Sequence, residues 1–228
     1  MGLSYGLIVT AHGDKYLRLY RPSDFGFERA LLAGSLGVKG FSQTNNGSLL
    51  VVGGYDKWMR IFAFDGVDYT ELQAIYAGFS VIFAKITEEK LIVLGGNQIE
   101  IYESNGTHYL RRQAITANGT SVFQMLIPED MSEFIFGGNS KAFAIYELAN
   151  GTYELMYWEE VGETIFEVVT DPEERYLILE TDISIRTYYR CPEECTSCHF
   201  PNNCSACIDG YQLNIGKCEY QVSHCVKN

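Results

Sequence analysis

The stretch LLVVGGYDKWMRIF, from Leu49 to Phe62, decides how this chain is read. A run of four aliphatic residues is long enough for a strand and short for a helix. Gly53 and Gly54 close the run, Asp56 and Lys57 turn the chain, and a second run ends on an aromatic, Phe62. That is the pattern of a hairpin. Its first run recurs as LIVTAH from Leu7, LIVLGG from Leu91, EFIFGG from Glu133 and YLILET from Tyr176, with starts 42, 42, 42 and 43 residues apart. Its second run recurs too, ending at Tyr20, Tyr102, Tyr146 and Tyr188.

Two further runs complete the unit. One follows the hairpin at Phe27, Tyr69, His108 and Thr152, and another precedes it at Ser35, Phe79, Thr120 and Glu163. Four short strands per repeat, joined by Gly, Asn and Asp turns, predict antiparallel four-stranded sheets. Helical periods between strands, which a parallel α/β fold requires, are not seen. The expected fold is all-β: at a period of 40 to 45 residues such sheets form the blades of a β-propeller, here with five repeats over residues 1–190. These residues resemble WD40-type repeats. Asp14 and Asp56 stand where that family often keeps a turn-stabilising aspartate, and Tyr20, Phe62, Tyr102 and Tyr146 stand near its tryptophan. The chain departs from the family in having no Trp-Asp dipeptide, and Asn97 and Asn139 fall near the aspartate position of the third and fourth copies.

On this reading the first blade lacks its leading strand and the fifth lacks its last. The expectation is that an upstream segment of roughly 20 to 30 residues, which could also carry a signal peptide, completes one shared blade. A larger propeller, or strands given by a neighbouring molecule, would serve the same end, and open strand edges invite association with another chain.

Composition narrows the function. The net charge is -12 with 17 scattered basic residues, which argues against a nucleic-acid partner. No apolar run approaches the ~20 residues of a membrane helix. All seven cysteines lie between Cys191 and Cys225, so composition marks a boundary at residue 190.

In that segment, Cys195-x2-Cys198 and Cys204-x2-Cys207 have the look of zinc pairs. The gap between the pairs is short for such a site, and Cys191, Cys218 and Cys225 would have no place in it. Disulfides use the set better, because so short a segment has little core of its own and must be stapled. CPEECTSCHFPNNCSACIDGYQLNIGKC resembles a furin-like cysteine-rich repeat of the growth-factor-receptor type, as found after propellers in large protist surface proteins. The resemblance implies the pairs Cys191–Cys198, Cys195–Cys204 and Cys207–Cys218. Cys225-Val-Lys-Asn matches the opening of the first repeat, so a second is expected to begin at Cys225.

Asn-x-Ser/Thr occurs at Asn46, Asn105, Asn118, Asn150 and Asn203, against about one by chance at this composition. Four of these are Asn-Gly, a favoured hairpin turn, yet a turn does not demand the hydroxyl that follows. With the cysteines, they lead us to expect N-linked glycans and an extracellular or cell-surface protein.

Residues for catalysis do not assemble. His12, His108, His199 and His224 lie in unrelated contexts, and no nucleophile elbow, zinc-protease motif or phosphate loop is present. Glu159-Glu160 and Glu173-Glu174 read as solvated turns, and Asp65-Gly-Val-Asp68 lacks the remaining oxygens of a calcium loop. The expectation is a non-enzymatic protein without catalytic, metal or cofactor residues. The propeller would serve adhesion, recognition or assembly on a cysteine-rich rod, with a protein partner or self-assembly into a surface filament. An intracellular WD40-type scaffold with a zinc-binding tail is the alternative.

Overall fold

The computed structural model describes the chain apart from residues 1, 5–6, 22, 89–90, 117–120, 129–130, 140, 171–175, 190–194, 201–202, 208–210, 215–216 and 221–228. It gives only the backbone of residues 2–4, 91, 123, 189, 196–200, 203–205, 211–214 and 217–220. Every regular element among the described residues is a strand. Two compact units divide at Glu167 and Val168, ahead of the compositional boundary at 190.

The first unit holds four antiparallel sheets of four strands. Sheet 1 is β1 (Gly2–Ser4), β2 (Leu7–Ala11), β3 (Tyr16–Tyr20) and β4 (Phe27–Leu32); sheet 2 is β5 (Val38–Gln43), β6 (Leu49–Gly54), β7 (Trp58–Phe64) and β8 (Tyr69–Tyr76). Sheet 3 is β9 (Phe83–Ile86), β10 (Leu91–Gly95), β11 (Gln98–Ser104) and β12 (Tyr109–Thr116); sheet 4 is β13 (Val122–Leu126), β14 (Glu133–Gly138), β15 (Ala142–Ala149) and β16 (Thr152–Glu160). Strand order follows the sequence in each. One expectation is corrected: sheet 1 has its leading strand, because Gly2, Leu3 and Ser4 pair with Val9, Ile8 and Leu7. Three residues without an apolar pattern gave no strand signal.

The second strands of sheets 2 and 3 are apolar on both sides because both sides are covered. Val9, Leu17 and Leu19 of sheet 1 share a buried cluster with Leu50, Val52 and Phe62 of sheet 2. Val51, Met59 and Ile61, on the other face of sheet 2, join Ile92, Leu94 and Tyr102 of sheet 3. Val93, Ile99 and Ile101 join Phe134 and Phe136 of sheet 4, with Tyr146 packed against them. The same positions build each layer, so one sequence period yields one sheet and one interface.

Two close approaches set glycine. A Cβ on Gly53 would lie 2.2 Å from Val81 Cγ1, and one on Gly40 would lie 2.7 Å from the backbone of Phe83 and Ala84. The glycine at the end of the second strand therefore admits the next sheet, where sequence alone gave it the role of a strand terminator.

Each fourth strand carries one extra residue. The register slips between Leu19 and Tyr20, Ile61 and Phe62, Ile101 and Tyr102, and Ile145 and Tyr146. These bulges leave Glu28, Leu72, Arg112 and Met156 unpaired and re-aim the residue that follows. In sheets 2 and 3 that residue is a glutamine that mimics a ladder bond to the next sheet. Gln73 Nε2 donates to the Tyr109 carbonyl (3.2 Å) while its Oε1 accepts from the Tyr109 amide (2.7 Å). Gln113 repeats both bonds on Tyr153, at 2.8 and 2.9 Å. In sheet 1 the place is held by Arg29, which donates to the Val67 carbonyl and pairs with Asp68 at 2.6 Å.

The second unit, taken by itself, contains most of a three-stranded sheet, β17 (Ile165–Thr170), β18 (Tyr176–Thr181) and β19 (Ile185–Tyr189). Two hairpins follow, β20 (Cys195–Phe200) with β21 (Asn203–Cys207), and β22 (Tyr211–Asn214) with β23 (Lys217–Tyr220).

Candidate functional site

The β2–β3 and β6–β7 turns share a motif, Asp-Lys-aromatic-x-Arg. Asp14 Oδ1 accepts from the Tyr16 amide (3.0 Å) and Asp14 pairs with Arg18 at 2.6 Å. Asp56 accepts from the Trp58 amide (3.2 Å) and pairs with Arg60 at 2.8 Å. The two differ in burial, the Asp14 side chain being 43% exposed and that of Asp56 4%. Asp56 also reaches the connection from sheet 1, accepting from the Ser35 amide at 2.9 Å. Burial alone would raise the Asp56 carboxyl; the Ser35 and Trp58 amides and the Arg60 guanidinium outweigh it and hold the group below the usual carboxylate range. For Asp14, the Arg18 and Tyr16 bonds lower it. Asn139 keeps the reach across, its Oδ1 accepting from the Ser121 amide at 2.8 Å, and Asn97 Oδ1 accepts from Ser121 Oγ at 3.2 Å.

Sheet 3 inverts the charge. Where β3 and β7 carry Arg18 and Arg60, β11 carries Glu100, fully buried. It accepts from Gln98 Nε2 (2.9 Å), Tyr102 Oη (2.5 Å) and Arg111 Nη1 (2.7 Å). Burial, and the carboxylate that holds its proton, push the Tyr102 phenol well above its ordinary value. Three donors on one carboxylate satisfy it within the sheet, the arrangement of a structural group.

A cavity of about 180 Å³ lies at the ends of the first strands of sheets 2, 3 and 4. Gln43, Asn45, Lys85, Thr87, Glu88 and Pro128 line it, with Ile86 and Ile127. Glu88 accepts from the Asn45 amide across its rim.

Asn46, Asn105 and Asn150 are exposed in turns. Asn46 Oδ1 accepts from the Ser48 amide and Thr44 Oγ1, each at 2.9 Å. Asn105 Oδ1 accepts from the Thr107 and His108 amides at 3.1 and 2.9 Å and from Thr107 Oγ1 at 3.0 Å. Asn150 and Gly151, with φ of 50° and 84°, form the two-residue loop between β15 and β16. Asn203 opens β21, and Asn118 lies outside the described residues.

The cysteine hairpin sets Cys195 opposite Cys207 and Cys198 opposite Cys204 in register. Cys195 and Cys207 are each disulfide-bonded. The side chains of Cys198, Cys204 and Cys218, and all of Cys191 and Cys225, lie outside what is described.

The remaining candidates take ordinary roles. His12 Nε2 meets Thr10 Oγ1 at 3.0 Å and His108 Nδ1 meets Thr107 Oγ1 at 3.1 Å; the His199 side chain and His224 are outside the described residues. Asp65 caps its own turn, accepting from Val67 and Asp68 amides, and Asp68 pairs with Arg29. Glu159 and Glu160 end strand β16, where a turn was expected, and Glu173 and Glu174 are not described. No group of three or more His, Cys, Asp or Glu able to hold a metal occurs among the described residues, and no helix there is long and apolar enough to cross a membrane.

Sequence reasoning missed Glu100 and the two glutamines. Glu100 sits between Ile99 and Ile101 like a solvent-facing residue of an alternating strand, and the available signal was that the same repeat position holds arginine in two other copies. No protein-family model matches the chain, and no curated protein matches it.

Proposed function

We propose that this protein is an extracellular, glycosylated, non-enzymatic module: blades of a WD40-like β-propeller presented on a disulfide-rich, furin-like segment. The blades serve recognition, adhesion or assembly with a protein partner, including further copies of the chain. Repetition supports the propeller reading. Three successive interfaces use the same positions, and the glutamine clamps join outer strands across them.

The observation that carries the compartment is the oxidised state of Cys195 and Cys207. Each belongs to a different Cys-x2-Cys pair, and a zinc ligand must be a thiolate. A tail with one cysteine of each pair in a disulfide suits an oxidising compartment and leaves no four-thiolate site. The test is a free-thiol count on the denatured, unreduced protein, with zinc measured on the same sample. Alkylation only after reduction at Cys195 and Cys207, without stoichiometric zinc, is the expected result; immediate alkylation with bound zinc would establish the intracellular scaffold instead.

A further inference from the structure

The described sequon asparagines of the first unit share one end of the sheets. Strands alternate in direction, so the connections after the first and third strands leave from the same end. Asn46 lies after the first strand of sheet 2, and Asn105 and Asn150 lie after the third strands of sheets 3 and 4. The cavity opens at that end as well, with Gln43, Ile86 and Ile127 at or just past the tips of three first strands. Asn45, the neighbour of Asn46, is part of its rim. In the bonds of Asn46 and Asn105 described above the carboxamide oxygen is the acceptor, and the nitrogen that would carry a sugar takes no part. A glycan there leaves the turn intact.

From this placement we infer that N-linked glycans on Asn46, Asn105 and Asn150 coat this end of the sheets, and that the Asn46 glycan closes the cavity to macromolecules. The inference rests on the secretory reading above. The donor class is an oligosaccharide on a lipid pyrophosphate, supplied by that route. The bond from the sugar C1 to the pyrophosphate breaks, the C1–Nδ2 bond forms, Nδ2 gives up a proton, and the lipid pyrophosphate leaves.

The test uses the full chain secreted from eukaryotic cells, beside Ser48→Ala. That change removes the hydroxyl required for glycosylation at Asn46 but keeps Asn46, Thr44 and the turn amides. Peptide mass spectrometry reads occupancy, and a bulky amine-reactive reagent reads access to Lys85, which lines the cavity. We expect all three asparagines to carry glycan and Lys85 labelling to rise several-fold in Ser48→Ala, while exposed Lys57 at the opposite end is labelled equally in both. Glycans with unchanged Lys85 labelling would overturn the closure. A bare asparagine among the three, with Asn203 modified, would overturn the coat. All bare, Asn203 included, would remove the secretory reading beneath it.

Discussion

Replacing Gly40 with valine should unfold the junction between sheets 2 and 3 at a cost of about 3 kcal/mol. At Gly40 the first strands β5 and β9 come together backbone against backbone. A Cβ there would lie 2.7 Å from the Ala84 amide nitrogen and the Phe83 carbonyl carbon, and 2.9 Å from the Ile82 carbonyl oxygen. A clashing side chain can rotate away, but these are main-chain atoms held in ladder bonds, so one of the two strands must move. Movement of β9 disturbs Ala84 and Ile86, both in the buried layer with Met59 and Ile61. Gly40→Ala should cost less than valine but still be measurable by denaturant unfolding. Gly13 is a control for glycine loss as such, since nothing lies within 4 Å of its Cβ position and its φ is outside the left-handed region. A wild-type midpoint for Gly40→Val would mean that the first strands are not in contact as described.

The second large effect is at Asp56. Its carboxylate serves the Ser35 and Trp58 amides and the largely buried Arg60 at once. Asp56→Asn keeps an oxygen for the amides but leaves Arg60 with the Ala33 carbonyl at 3.3 Å and, as its remaining carboxylate, the exposed Glu71 at 3.8 Å. Breaking a largely buried pair on one side should cost about 3 kcal/mol. The double variant Asp56→Asn with Arg60→Ala reproduces the fourth repeat, where Asn139 goes with Ala144, and should recover part of the loss. If the double variant is the worse of the two, the penalty does not come from the stranded charge.

The pH dependence of Asp56 follows. Its folded carboxyl titrates below the ordinary value of 3.8, so the charged form is the one the fold favours. The stabilisation is complete above 3.8 and is lost as pH falls through the lower, folded value. The gap between wild type and Asp56→Asn should therefore be widest near neutrality and close in acid. Asp14→Asn, in the exposed copy of the same motif, should show little of either effect.

Much of this architecture is written in the sequence because each period repeats both an alternation and a solid apolar run. Leu49 to Gly54 reads as an apolar strand; it is one, and the structure covers it on both faces. The run from Tyr69 reads as a strand, and it lies at the edge of sheet 2. Three features were illegible for physical reasons. Gly2–Ser4 is too short to show a period. The bulges at Glu28, Leu72, Arg112 and Met156 add one exposed residue, polar in two copies and apolar in two, so nothing in the sequence marks them. Glu100 draws on Tyr102 of its own strand and on Arg111 of the next, and the pairing that brings Arg111 to it across strands is not local in sequence. Of the candidate sites, the asparagine turns and the cysteine pairs were legible as motifs, whereas the cavity arises from three strand ends about 40 residues apart and has no motif.

The most direct test of the extracellular reading is mass spectrometry of the peptide holding Asn203 and Cys204, from native material digested without reduction. A glycan on Asn203 with Cys204 in a disulfide is the result this account requires. Unmodified Asn203 beside a freely alkylated Cys204 would contradict it and place the protein in a reducing compartment.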